Sequence, residues 1–224
     1  MNFFDELQDA TQQERHELFN LPIIVSALRG DVSLESYRAF LVQAYYHVRH
    51  TVPLMMACGA RLPARLEWLR KAVCEYIEEE YGHEQWVLDD IVACGGDRIA
   101  VRDGQPSLSI ELMVSYLYDL IARGNPVGLF GMVNVLEGTS IALATHAAGS
   151  IRTRLGLPET AFSYLSSHGS LDIEHMQTYR RLMNQLEDRD DQEAVIHASK
   201  VVYRLYTDMF RGLSRDVEGQ HAAA

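Results

Sequence analysis

Between Arg123 and Arg152 the only Asp, Glu, Lys or Arg is Glu137. The run from Pro126 to Ile151 is apolar enough to raise the question of a membrane span, but it also holds Asn134, Glu137, His146 and four glycines. It reads as a buried core helix of a water-soluble bundle. No stretch longer than four residues alternates convincingly between apolar and polar, so an all-α chain is expected.

The remaining segments carry helical spacing. An amphipathic helix is expected over 2–19 and a short one over 22–29, stopped by Gly30. Ser33 then reads as the N-cap of a long helix bent at Pro53 and ending near Leu62. Pro63 opens the next, whose inner face (Leu69, Val73, Tyr76, Ile77, Glu80, His83, Val87, Ile91) runs unbroken to Cys94-Gly95-Gly96. A connection over 97–107 precedes a helix near 108–123. Asn125-Pro126 starts the apolar helix, and Gly156 closes it near Leu155. A short helix at 158–167, another from an N-cap at Ser170 to about Leu186, and a final helix through Val195 and Leu213 complete a single domain over 1–218. A frayed tail is expected over 219–224.

A chain of 224 residues with 47% hydrophobic and 23% charged content can bury a sizeable core. A net charge of −11 argues against a nucleic-acid partner. Cys58, Cys74 and Cys94 are odd in number and contain no Cys-x-x-Cys pair, so neither a disulfide framework nor a zinc ribbon is indicated. The N-terminus lacks a basic segment followed by an apolar one, and a cytoplasmic protein without a membrane segment is expected.

Chemistry gathers at a few acids and imidazoles. Burying an unpaired carboxylate costs several kcal/mol, so Glu137 is expected to be protonated, paired with Arg or bound to metal. In Glu78-Glu-Glu-Tyr-Gly-His83 the acids form a run that reads first as a solvated face, but His83 shares the stripe of Tyr76, Val87 and Ile91 and should point inward. Glu79 and Glu80 precede it by four and three residues, and spacing does not choose between them. His168, Asp172 and His175 fall at i, i+4 and i+7, within roughly 60° of one another on a continuous helix. A helix starting at Ser170 would leave His168 just outside. These groups amount to the donor set of a carboxylate-bridged dimetal site. His146 lies half a turn round from Glu137 and should face away. His47 and His50 are open to a substrate-contacting, supporting or purely structural role, and His16, His197 and His221 have no supporting context.

Four phrases carry a family resemblance: Tyr45-Tyr-His-Val-Arg-His-Thr51; Tyr76-Ile-Glu-Glu-Glu-Tyr-Gly-His-Glu-Gln-Trp-Val-Leu-Asp-Asp90; Gly124 to Gly131 with Val135-Leu-Glu-Gly138; and Ser167-His-Gly-Ser-Leu-Asp-Ile-Glu-His175. With them the chain resembles the heme-oxygenase-like diiron oxidases and oxygenases, a branch of the TenA/PqqC-like superfamily. The resemblance spans most of the chain. It implies a heme-oxygenase-like helical bundle, commonly dimeric. It also implies two ferrous ions, or manganese in part, without heme, held by Glu80, His83, Glu137, His168, Asp172 and His175. Some members place the first acid a further turn before the histidine, where this chain has Tyr76.

The expected protein is an oxygen-dependent non-heme diiron oxidoreductase acting on a small amino-acid-like or fatty-acid-like substrate. Its partners would be that substrate, dioxygen, an electron donor and a second copy of the chain. Glu137 would span the metals, and Tyr76 and Tyr179 could support the ligands or simply pack. A TenA-like thiaminase or amine hydrolase is one alternative, although no base partner for a cysteine nucleophile is evident. A metal-free binding or regulatory protein is another.

Overall fold

The computed structural model describes the backbone of residues 2–222 and the side chains of residues 2–167 and 175–213. All regular structure among the described residues is helical. Asn2 caps α1 (Phe3–Ala10), its Oδ1 accepting the Asp5 N–H at 3.0 Å. The helix expected over 2–19 is divided at Thr11, whose hydroxyl donates to the Leu7 carbonyl at 2.8 Å before α2 (Gln12–Phe19) begins. A buried threonine that bonds back one turn commonly bends a helix. Pro22 starts α3 (Pro22–Arg29), which ends at Gly30 in the left-handed conformation, with φ 76°.

Ser33 caps α4 (Leu34–Val48) as expected, but a second helix, α5 (Thr51–Arg61), then takes over at Arg49–His50 rather than bending at Pro53. Pro53 has no N–H to give the carbonyl of Arg49 and its ring crowds that carbonyl, so the interruption falls a turn ahead of the proline. The inner-face helix expected from 63 to 94 is likewise two helices. After one tight turn at Ala64–Leu66 come α6 (Glu67–Glu80) and α7 (His83–Ala93), separated by Gly82 at φ 93°.

The connection expected over 97–107 contains α8 (Arg98–Arg102), capped by Asp97, and α9 (Leu108–Arg123) follows. The apolar stretch opens with a turn at Pro126–Gly128 and continues as α10 (Leu129–Leu155), closed by Gly156 at φ 64°. This stretch passes the length and composition test for a membrane span, but 67% of its most apolar window is buried inside the protein. It lies against α3 and against two later helices, α11 (Ser163–Met183) and α12 (Arg189–Ala222). A close approach falls at Gly131, where a Cβ would stand 2.6 Å from the Ser199 nitrogen and 2.7 Å from the Val195 carbonyl oxygen, so only glycine lets α10 and α12 meet there.

Ser170 is not an N-cap, because α11 starts seven residues earlier, at Ser163. The cap comes from another helix. Asp90 of α7 accepts the Ser163 and Tyr164 N–H groups at 2.8 and 2.9 Å, satisfying two amides at the start of α11. Position 168 therefore lies within the same continuous helix as 172 and 175. The tail expected from 219 onward falls where side chains lie outside the described residues.

Candidate metal centre

Three buried ligand-bearing side chains converge where α6, α10 and α11 meet. A carboxylate oxygen of Glu80, one of Glu137 and a ring nitrogen of His175 all lie within 4.8 Å of one another. Glu80 is the last residue of α6 and His83 the first of α7, and the His83 Nδ1 stands 3.1 Å from Glu80 Oε2. Both are buried. Since Gly82 turns the chain between them, His83 faces inward through a helix break and not through the unbroken stripe expected from spacing.

Helix phase sends Glu79 and Glu80 to different surroundings. Glu80 turns into the bundle beside Glu137. Glu79 has 55% of its side chain exposed and meets the His175 Nε2 at 3.1 Å from the solvent side. The other face of His175 looks inward, with Nδ1 3.8 Å from Glu137 Oε1. Trp86 stacks on His83 at 4.0 Å between centroids and 24° between planes, fixing the plane of that imidazole. His168 and Asp172 lie outside the described residues as far as their side chains are concerned.

Tyr76 is buried one turn before Glu80 and packs edge-on against His175 at 5.7 Å. Its hydroxyl has no hydrogen-bond partner among the described residues. Burial, reinforced by the nearby Glu137 carboxylate, drives its phenol far above the ordinary range, so it stays protonated as a donor. Tyr179 is a packing residue: fully buried, it donates to the Phe130 carbonyl at 2.7 Å. His146 is exposed and its Nε2 lies 3.1 Å from the Leu28 carbonyl, on the side of α10 away from Glu137, as its phase requires.

Two spaces flank the cluster. An outer pocket, open to solvent, is walled by Tyr76, Glu79, Tyr81, His83, Trp86 and His175 among others. A small inner cavity of about 50 Å³ is bounded by His47, Glu80, Glu137 and Ser140 together with apolar side chains, and no Lys or Arg among the described residues lines it. Beyond it lies a larger apolar cavity of about 110 Å³, walled by residues such as Ile24, Phe40, Leu143, Ile151 and Phe210. Leu136, Ser140 and Tyr164 border both of these cavities, so the apolar space adjoins the carboxylates.

The donors fit a metal. Two buried carboxylates this close repel each other, and the described residues around the inner cavity include no permanent side-chain cation to offset them. Carboxylate oxygens mixed with imidazole nitrogens are a donor set suited to non-heme iron. The two buried cysteines show no corresponding activation: burial pushes the Cys58 thiol up to about 12 and the Cys94 thiol up to about 11. His47 is buried at the wall of the inner cavity, which it shares with Glu80 of α6 and Glu137 of α10, a placement that spacing along α4 alone does not give.

Residues 38–207 match the model of a family described as iron-containing redox enzyme. No curated protein matches the chain by sequence. Among solved structures, a domain of unknown function with a heme oxygenase-like fold from Shewanella denitrificans superposes with a TM-score of 0.86 at 21% identity, over 100% of this chain and 97% of that one. A TenA homolog from Pseudomonas syringae gives 0.81 at 10% identity, over 95% and 93% of the two chains. Heme oxygenase-1 from the cyanobacterium Synechocystis, solved in complex with heme, gives 0.77 at 15% identity, over 100% and 97%. At these identities the likeness shows the heme-oxygenase-like fold.

Proposed function

The chain belongs to the iron-containing redox enzyme family, and we propose that within it this protein is a non-heme diiron oxidase or oxygenase acting on a fatty-acid-like or amino-acid-like substrate. The observation that carries the proposal is the buried cluster of Glu80, Glu137 and His175, with His83 against Glu80. Glu80, His83, Glu137 and His175, with His168 and Asp172 of α11, would hold the ions. Ferrous iron held there, or manganese in part, would supply the reducing equivalents for dioxygen chemistry, with an external electron donor as partner.

The protein's own contributions follow from the geometry. Glu137 projects from the central helix beside Glu80 and His175, where its carboxylate would help to hold the metal. Tyr76 presents a protonated hydroxyl beside His175 and can donate a hydrogen bond to whatever binds at the outer face. Packing around α10 keeps bulk water from the inner side. The larger cavity favours the fatty-acid-like substrate, because its walls are almost wholly aliphatic or aromatic and it adjoins the carboxylates at Leu136 and Ser140. A homodimer in the cytoplasm is the setting we propose.

The TenA-like hydrolase reading needs a reactive thiol; Cys58 and Cys94 are both held protonated by burial, so that reading would have to use the exposed Cys74. The decisive experiment is an anaerobic ferrous titration followed by an oxygen pulse with fatty acids and amino acids of graded chain length. Two irons per chain and substrate-dependent oxygen uptake are expected. Protein that binds no iron and cleaves thiamin would replace the oxidase by the hydrolase.

A further inference from the structure

The apolar cavity runs along α10, away from the carboxylates. Leu136 and Ser140, at its near end, also border the inner cavity that Glu80 and Glu137 line, while Ala144, Ala147 and Ile151 follow on the same face of the helix. α12 flanks the space in the same direction: Tyr206, whose ring meets His47 at the wall of the inner cavity, is followed along the apolar wall by Phe210 and Leu213. Two hydroxyls mark the near end. Thr139, 7% exposed, and Ser140 both line the apolar cavity, and neither hydroxyl has a hydrogen-bond partner among the described residues. Helical serine and threonine commonly bond back to the preceding turn, so two buried hydroxyls left over in this way call for a polar ligand group.

We propose that the cavity receives an unbranched acyl chain lengthwise, its polar head against the Thr139 and Ser140 hydroxyls and its tail toward Ile151, and that Ala144 and Ala147 set the longest chain accepted. The inference rests on the fatty-acid-like reading above and deepens it by assigning the direction of the substrate and its length limit. The helix supplies the scale. Ile151, which is buried, stands eleven residues beyond Ser140, about 16 Å along the axis at about 1.5 Å per residue. An extended chain advances about 1.2 Å per bond, so that distance takes a tail of roughly twelve to fourteen carbons. The path is kept open by small side chains on two walls, Ala144 and Ala147 of α10 and Ala27 of α3. The His146 Nε2 lies 3.1 Å from the Leu28 carbonyl, which sets Ala27 near the level of Ala147. A leucine at any of the three positions would occupy the path of the tail and leave the head end as it is.

The test measures binding to the full chain by calorimetry, with 1-alkanols of graded length on metal-free protein and fatty acids of the same lengths on protein loaded anaerobically with ferrous iron. Uncharged alkanols escape repulsion by Glu80 and Glu137 when no cation is present, so their binding does not depend on the dimetal reading. Wild type is compared with Ala144→Leu, Ala147→Leu, Ala27→Leu and Ser140→Ala, and with Ala142→Leu on the exposed side of α10 as a control for added bulk. Circular dichroism establishes that each is folded. The three cavity leucines should bind short chains as wild type does and chains above a cut-off at least tenfold more weakly. The cut-off in Ala144→Leu should fall about four carbons below that in Ala147→Leu, because three residues of helix span about 4.5 Å. Ala27→Leu should follow Ala147→Leu. Ser140→Ala should weaken every length by a similar factor, and Ala142→Leu should weaken none. Folded cavity variants that lose all lengths equally, or none, while wild type binds these chains would overturn the length limit. Wild-type binding by Ser140→Ala would overturn the placement of the head. Wild-type protein that binds neither series at any length would remove the fatty-acid-like reading, and the inference with it.

Discussion

Glu80 closes α6, His83 opens α7, and the two side chains meet at 3.1 Å across Gly82, which holds a left-handed φ of 93°. The site thus depends on a backbone feature as well as on its donors. A Cβ at Gly82 would touch nothing within 4 Å, so the cost of Gly82→Ala is backbone strain, about 1–2 kcal/mol. Gly82→Asn should cost less, because asparagine tolerates this region. Urea midpoints should rank glycine, asparagine, alanine in falling order, with iron affinity following. Identical midpoints would show that the turn relaxes freely.

Glu137→Gln keeps the shape of the side chain and removes one of two adjacent buried charges. Without metal the variant should be as stable as wild type or more so, by about 1 kcal/mol. Its iron uptake and oxygen consumption should be lost. Calorimetry of the metal-free proteins and iron analysis after identical reconstitution check the two halves independently, and unchanged iron content would remove Glu137 from the site.

His83→Ala and His175→Ala should each weaken iron binding by at least about tenfold, or ~1.4 kcal/mol. His146→Ala should not, since that imidazole is on the surface beside the Leu28 carbonyl. Ferrous titrations monitored by a competing chelator decide it. Equal losses in all three variants would mean that iron binding tracks general stability and not these donors.

Asp90 should give the folding stability a recognisable pH dependence. Burial pushes its carboxyl up to about 6, against the opposing pull of the Ser163 and Tyr164 N–H groups. The folded form therefore binds more protons than the unfolded chain between the ordinary value of 3.8 and about 6. Its contribution is most favourable below 3.8, declines as pH rises through that window and is level above it. In Asp90→Asn this decline should be absent, although the variant loses one of the two caps on α11. Comparing urea midpoints of the two proteins at pH 4 and pH 7 tests it, and parallel changes in both would exclude Asp90 as the source.

The amino-acid order by itself determined that the protein is helical and which helix is central. The lone Glu137 in an apolar run required a buried helix with a reason for its charge, and α10 is that helix. It also determined the donors to consider, because acids and imidazoles on otherwise apolar stripes are costly to bury and therefore informative. Helical phase placed His146 outside correctly, since that judgement needs only one unbroken helix. Tertiary structure decided whatever depended on two helices at once. Spacing treated residues 63–94 as one helix, yet the turn at Gly82 is what brings His83 onto Glu80. Ser170 looked like an N-cap because serine next to glycine is a local signal, whereas the real cap, Asp90, reaches α11 from 73 residues away in the chain. Glu80 and Glu79 part company because packing buries Glu80 beside Glu137 and leaves Glu79 55% exposed, and His47 of α4 comes to line the same cavity as Glu80 and Glu137. Periodicity records the direction of a side chain around its own helix axis; which neighbour waits there is set by packing between helices, and no local pattern contains it.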